Sequence, residues 1–169
     1  SVLTLFLKTI INFLLLVIAF DISIRNLGIA ITENLNYLFS TTIKTKNVQT
    51  SKRLIYLYEK TEEIIDKFKP NLAILESIIY HKNVKTLILL SSVKGVIQLL
   101  LEKKNIEIFE ISPTSLKLSI SGFGRSKKHQ IQFMTKAIFK LNEKLDEHQS
   151  DALALIWAFF NKNDLGIKR

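Results

Sequence analysis

Four ionisable residues in this 169-residue chain stand where apolar runs end or begin. Asp21 follows Val-Ile-Ala-Phe directly, and Glu76 follows Leu-Ala-Ile-Leu directly. A carboxylate at the end of a buried strand is unfavourable to ionise unless something positive meets it. Asp151 lies in His-Gln-Ser-Asp-Ala-Leu-Ala-Leu, just inside an apolar helical pattern. His148 precedes it by three residues, so the two side chains share one helix face about 5–6 Å apart. Three carboxylates and one imidazole converging from separate elements suit one or two Mg²⁺ ions, which take oxygen ligands and keep water. Two such ions about 3.5–4 Å apart activate a water and stabilise the leaving oxygen of a phosphodiester. Each residue alone has a plainer reading. Asp21 caps a turn with Ser23, Glu76 pairs with a lysine, and His148 and Asp151 cap the last helix.

The elements that would carry these residues are legible from periodicity. Leu16–Phe20, Gly28–Thr32 and Tyr37–Lys44 read as short strands of an antiparallel meander, with Asn34 and Asn36 supplying turn chemistry. Ser51 is expected to cap a helix that carries Leu54, Ile55, Leu57, Tyr58, Ile64, Ile65 and Phe68 at helical spacing and stops at Pro70. Leu72–Leu75 reads as a buried strand. Asn83–Lys103 reads as a helix whose wide apolar face leaves room for a partner subunit. Ile106–Ile111 reads as a strand, Pro113 opens a connecting segment, and Ser121–Gly124 is a loop. Helices over about 127–141 and 148–160 close the chain. Three strands, then alternating helix and strand, then two helices predict an α/β domain on a mixed sheet.

Charge and composition narrow the partner. There are 24 Lys+Arg against 15 Asp+Glu, a net charge of +9. The excess is concentrated: between Glu110 and Glu143 there is no acid, while Lys117, Arg125, Lys127, Lys128, Lys136 and Lys140 all fall there. That stretch is a candidate phosphate-binding surface, and a solvated lysine-rich face accounts for the charge equally well. The absence of cysteine excludes thiolate metal sites and a thiol nucleophile. At the amino end, Thr9 to Phe20 is uncharged between Lys8 and Asp21. A bilayer span needs about 20 apolar residues, so no membrane association is expected. Residues 1–15 read as an apolar extension and 16–169 as the functional domain.

Taken together, these residues resemble a known family. Asp-x-Ser-x-Arg-Asn-x-Gly-x-Ala (Asp21, Ser23, Arg25, Asn26, Gly28, Ala30) is similar to the opening motif of RuvC, the bacterial Holliday-junction resolvase family. Leu-Ala-Ile-Leu-Glu resembles its second acidic strand end. The stretch from Ser112 to Met134 resembles its long Pro…Lys…Gly-x-Gly…Lys-x-Gln signature, and His-Gln-Ser-Asp-Ala-Leu-Ala-Leu its closing acidic helix start. The match covers about residues 16–161.

The resemblance implies an RNase H-like fold with a mixed five-stranded sheet flanked by helices. It also implies a homodimer and divalent-metal nicking of two opposed strands of a four-way DNA junction during recombination and repair. Asp21, Glu76, His148 and Asp151 occupy the family's metal-site and catalytic positions, with Mg²⁺ (two per subunit) as cofactor and Mn²⁺ able to substitute. Lys117 and Lys128 match basic positions that contact phosphates near the active site, and Lys127 and Arg125 lie beside Lys128. An aromatic wedge commonly follows the second acid by three residues; here Ile79 and Tyr80 stand there. The family's Pro-Gly after the first acid is replaced by Ile22-Ser23, and its Ala-Arg-Gly in the long helix by Val93-Lys94-Gly95. A cytoplasmic location and RuvA and RuvB as partners are implied by the resemblance alone. The rival expectations are an RNase H-like nuclease acting on RNA·DNA hybrids or structured RNA, a catalytically silent junction-binding protein, and a membrane-associated protein anchored by its first 20 residues.

Overall fold

The computed structural model describes residues 15–78, 83–121 and 128–164. Five strands form one sheet: β1 (Leu16–Asp21), β2 (Asn26–Glu33), β3 (Asn36–Lys44), β4 (Leu72–Glu76) and β5 (Glu107–Ile111), in the order β3-β2-β1-β4-β5. The first three are the expected antiparallel meander, while β1–β4 and β4–β5 pair in parallel. Asn34 takes the left-handed conformation between β2 and β3, which short polar side chains tolerate best.

Helices α1 (Thr50–Phe68) and α2 (Val84–Lys103) cover one face of the sheet. There Leu57, Ile65, Val93, Ile97, Leu100 and Leu101 pack against Ile18, Phe20, Ala73 and Leu75. Helix α5 (Glu147–Asp164) covers the other face, packing Ala152, Leu153, Leu155 and Ile156 against Val17, Ala19, Leu72 and Ile74. Helices α3 (Pro113–Ser121) and α4 (Lys128–Ile138) pack against α5. Odd-numbered residues of β1 and even-numbered residues of β4 thus face α5, as strand alternation requires. Each fully buried Leu, Ile or Phe in these two layers contributes about 1.5–3 kcal/mol.

Local signals at the element ends correct the sequence reading in three places. Helix α1 begins at Thr50 after Gln49, with no side-chain cap, so Ser51 lies inside the helix rather than capping it. Residues after Pro113 form a helix instead of a plain connector. Proline at a first helical position loses no bond there, and the Ser112 hydroxyl accepts the backbone N–H of Ser115 at 3.1 Å. Asn83 stands outside α2 and caps it, its Oδ1 accepting the Thr86 N–H at 3.1 Å. By length and composition α2 is apolar enough to cross a bilayer; in the fold it lays Val93, Ile97, Leu100 and Leu101 on the sheet.

Candidate active site

The sheet topology brings the first two acids to one edge. Val17–Phe20 of β1 pairs with Leu72–Leu75 of β4 in parallel register. One residue further on, Asp21 and Glu76 end adjacent strands, which run about 4.8 Å apart. Both belong to the alternating set that faces α5.

Helix α5 carries the other two and brings His148 to Asp21. His148 Nδ1 lies 2.6 Å from Asp21 Oδ2, a contact across 127 residues of chain. An ionised carboxylate can only accept, so in this contact Nδ1 is the donor and Asp21 Oδ2 the acceptor. Asp151 follows one turn later on the same helix face, half-buried like His148.

The approach of α5 depends on Gly28, which pairs with Asp21 across the β1–β2 ladder. A β-carbon at Gly28 would lie 2.6 Å from the carbonyl carbon of His148 and 2.9 Å from its Cβ. The glycine of the first motif is therefore a seat for the helix backbone.

None of the plainer readings describes Asp21 or the helix cap. Ser23 makes its own turn, its Oγ accepting the N–H groups of Arg25 and Asn26 at 3.3 and 3.4 Å, while Asp21 turns to His148. The cap of α5 is Asp146, which the sequence reading passed over. Asp146 Oδ1 accepts the Gln149 N–H at 2.9 Å, and Gln149 Oε1 accepts the Asp146 N–H at 2.8 Å. This reciprocal box makes Asp146 the residue that caps the helix start. It also ties the helix to β3, because Thr42 Oγ1 donates to Asp146 Oδ1 at 2.8 Å and Gln149 Nε2 donates to Ser40 Oγ at 3.1 Å.

The electrostatics of Asp21 follow from its position. Burial pushes its carboxyl above the ordinary value of 3.8. The hydrogen bond and charge of His148 pull it down, and Glu147 and Asp146 push it further up. Among the described residues, no three acids or imidazoles stand close enough together to enclose an ion. The donor set still fits a hard divalent cation in kind. It offers oxygen ligands with one imidazole, and Asp21 is a desolvated carboxylate whose ionisation a cation would favour.

Of the proposed DNA contacts, Lys117 falls within α3 and Lys128 opens α4. Arg125, Lys127, Ile79 and Tyr80 lie outside the described residues. In α4, Phe133 is 73% exposed and lines an open groove with Lys136 and Lys140.

Comparison with known proteins shows the family and the fold. The family model for crossover junction endodeoxyribonuclease RuvC matches residues 17–158, a span that contains all four candidate site residues. The RuvC of Thermotoga maritima is 38% identical over 136 residues, covering 77% of this chain and 81% of the relative. That of Ruminiclostridium cellulolyticum is 37% identical over 134 residues, covering 78% and 79%. Among solved structures, Thermus thermophilus RuvC in complex with a Holliday junction substrate superposes with a TM-score of 0.80 at 19% identity, covering 90% of this chain and 96% of that one. The yeast mitochondrial Holliday junction resolvase Ydc2 superposes with a TM-score of 0.56 at 13% identity, covering 87% and 80%. At these identities the solved structures speak for the fold, which is RNase H-like, as the sequence resemblance implied. The family match over most of the chain and the relatives above 30% identity together establish that the chain belongs to the crossover junction endodeoxyribonuclease RuvC family.

Proposed function

We propose that this chain hydrolyses DNA phosphodiesters at four-way junctions, cutting two opposed strands through Asp21, Glu76, His148 and Asp151 with Mg²⁺ as cofactor. The observation that carries the reading is the meeting of Asp21 and His148 at 2.6 Å, beside the strand end that bears Glu76. A bound divalent cation supplies water activation and neutralises charge on the leaving oxygen.

The chain's own residues do the rest. Asp21 and Glu76 stand at the ends of neighbouring parallel strands, so the sheet brings their backbones side by side. Asp151 adds a third carboxylate from α5. His148 holds Asp21 through Nδ1 and leaves Nε2 open, as an ion ligand or as the acceptor of a proton from the attacking water. Lys117 and Lys128 place positive charge against the phosphate backbone, which the carboxylates alone would repel.

Two copies are required for paired nicks, and α2 offers a surface for them. Val84, Ile88 and Leu99 are exposed on that helix, and open space lies over Gly95, so a second helix can approach its backbone. A cytoplasmic location, with RuvA and RuvB as partners, belongs to the same proposal and is supported by the family resemblance.

The test is a synthetic four-way junction with Mg²⁺, beside a linear duplex and an RNA·DNA hybrid, using parent protein and Asp21→Asn. Symmetric nicks on the junction, lost in the variant, are expected. Equal cutting by the variant, or digestion of the hybrid in preference to the junction, would falsify the assignment.

A further inference from the structure

Among the described residues, Lys94 is the one charged side chain that is buried, at 8% exposure. It is also the only charge between Lys85 and Glu102, a stretch otherwise apolar or neutral. An ammonium withdrawn from water is destabilising unless it is paired and hydrogen-bonded. Its partners here are specific. Nζ lies 2.8 Å from Glu110 Oε1 on β5 and donates to the main-chain carbonyl of Glu76 at 3.3 Å. Gln98, one turn further along α2, holds the same Glu110 oxygen at 3.2 Å. In the β4–β5 ladder Glu110 stands opposite Leu75 and Ile111 opposite Glu76, and the Ser77 N–H closes the pair on the Ile111 carbonyl at 2.8 Å. The lysine therefore joins helix, last full β5 pairing and the end of β4 at one point.

We infer that Lys94 is a positioning residue for Glu76: by pinning the Glu76 carbonyl and Glu110 together it fixes the direction in which the second carboxylate leaves the sheet. Glu76 is the last residue of β4 in the ladder, and beyond it the strand is held to β5 by the Ser77 N–H bond, so its side chain points only as well as that short end is held. The ammonium supplies that hold from the opposite face, where α2 lies, leaving the α5 side open to substrate. Lysine and glutamate neutralise each other, so the pair acts through geometry and adds little net field at the carboxylates.

The inference rests on Glu76 belonging to the active site, and the experiment separates the two. Lys94→Met/Glu110→Leu removes the charges as a pair, a change that cores commonly tolerate. It is compared with Lys94→Arg, Glu76→Gln and the parent. Mn²⁺ binding is followed by the loss of free-ion electron paramagnetic resonance signal without DNA, and kcat and KM are measured on a synthetic junction. The double variant is expected to keep KM, to lower kcat by about 10- to 100-fold, as a misplaced catalytic group does, and to weaken Mn²⁺ binding. Lys94→Arg is expected to retain both. A double variant with the parent's kcat and Mn²⁺ affinity, an arginine variant as impaired as the double, or a double variant that fails to fold overturns the inference. If Glu76→Gln loses cutting and ion binding while the double variant keeps them, only the role of Lys94 falls. If Glu76→Gln keeps both, the assignment of the site itself falls.

Discussion

Gly28 and His148 touch backbone to backbone, and that contact sets how closely α5 lies on the end of β1. Gly28→Ala would drive a methyl group into the His148 main chain, which cannot rotate away as a side chain could. The helix must lift, and His148 would leave Asp21. Overpacking of this kind destabilises by about 1–3 kcal/mol. Chemical denaturation should show that loss, and junction cutting should fall further than stability alone explains.

Asp21 couples stability to pH with an unusual sign. Its folded pKa lies above the ordinary 3.8, chiefly through burial. Ionisation is thus easier in the unfolded chain. The penalty is absent below the unfolded value, grows as pH rises through the window between the two, and is complete above the folded value. Metal-free parent protein should therefore lose stability relative to Asp21→Asn as pH rises through that window. Mg²⁺ should restore it at neutral pH, since a bound cation favours the carboxylate. Thermal melts of both proteins at several pH values, with and without Mg²⁺, test the sign.

Asp146→Ala removes the capping box and the tie to Thr42 together. A lost cap is worth about 0.5–2 kcal/mol. Because the cap precedes His148 by one turn or less, hydrogen exchange at the start of α5 should quicken before the core does. Cutting should drop modestly and recover in Asp146→Asn, which keeps the acceptor.

Phosphate contacts from the acid-free segment should make junction affinity fall steeply with salt, with a slope of about −0.9 per contact neutralised in duplex DNA. Lys128→Ala and Lys117→Ala should each flatten that slope by about one. Fluorescence anisotropy across a salt series measures it; an unchanged slope in both would remove these lysines from the interface.

Much of this architecture is written in local pattern, and the exceptions share a cause. The apolar runs before Asp21 and Glu76 announce two strand ends, because alternation and burial are local. That these ends are neighbours is a property of parallel pairing, and no local signal gives it. The helix after Pro113 is not legible locally, because Ser-Pro signals either a break or an N-terminus and only the Ser112 hydroxyl bond decides. Asp146 is hidden for a similar reason. The run Asp-Glu-His-Gln-Ser-Asp offers three acids near one helix start, and Thr42, 104 residues earlier, favours the first. Lys94 carried a visible signal, a lone charge in an apolar helix, but its partner Glu110 lies on another element.

The contact of residue 21 with residue 148 also bears on the time at which this nuclease becomes dangerous to DNA. Chains emerge from the ribosome amino end first, and domains begin to form as they emerge. Strands β1 to β4 can assemble while the last helix is still being made, but such an intermediate lacks His148 and Asp151. On the proposed assignment of the site, a product that stalls before α5 is unarmed, and cutting competence arrives only once that helix has been made.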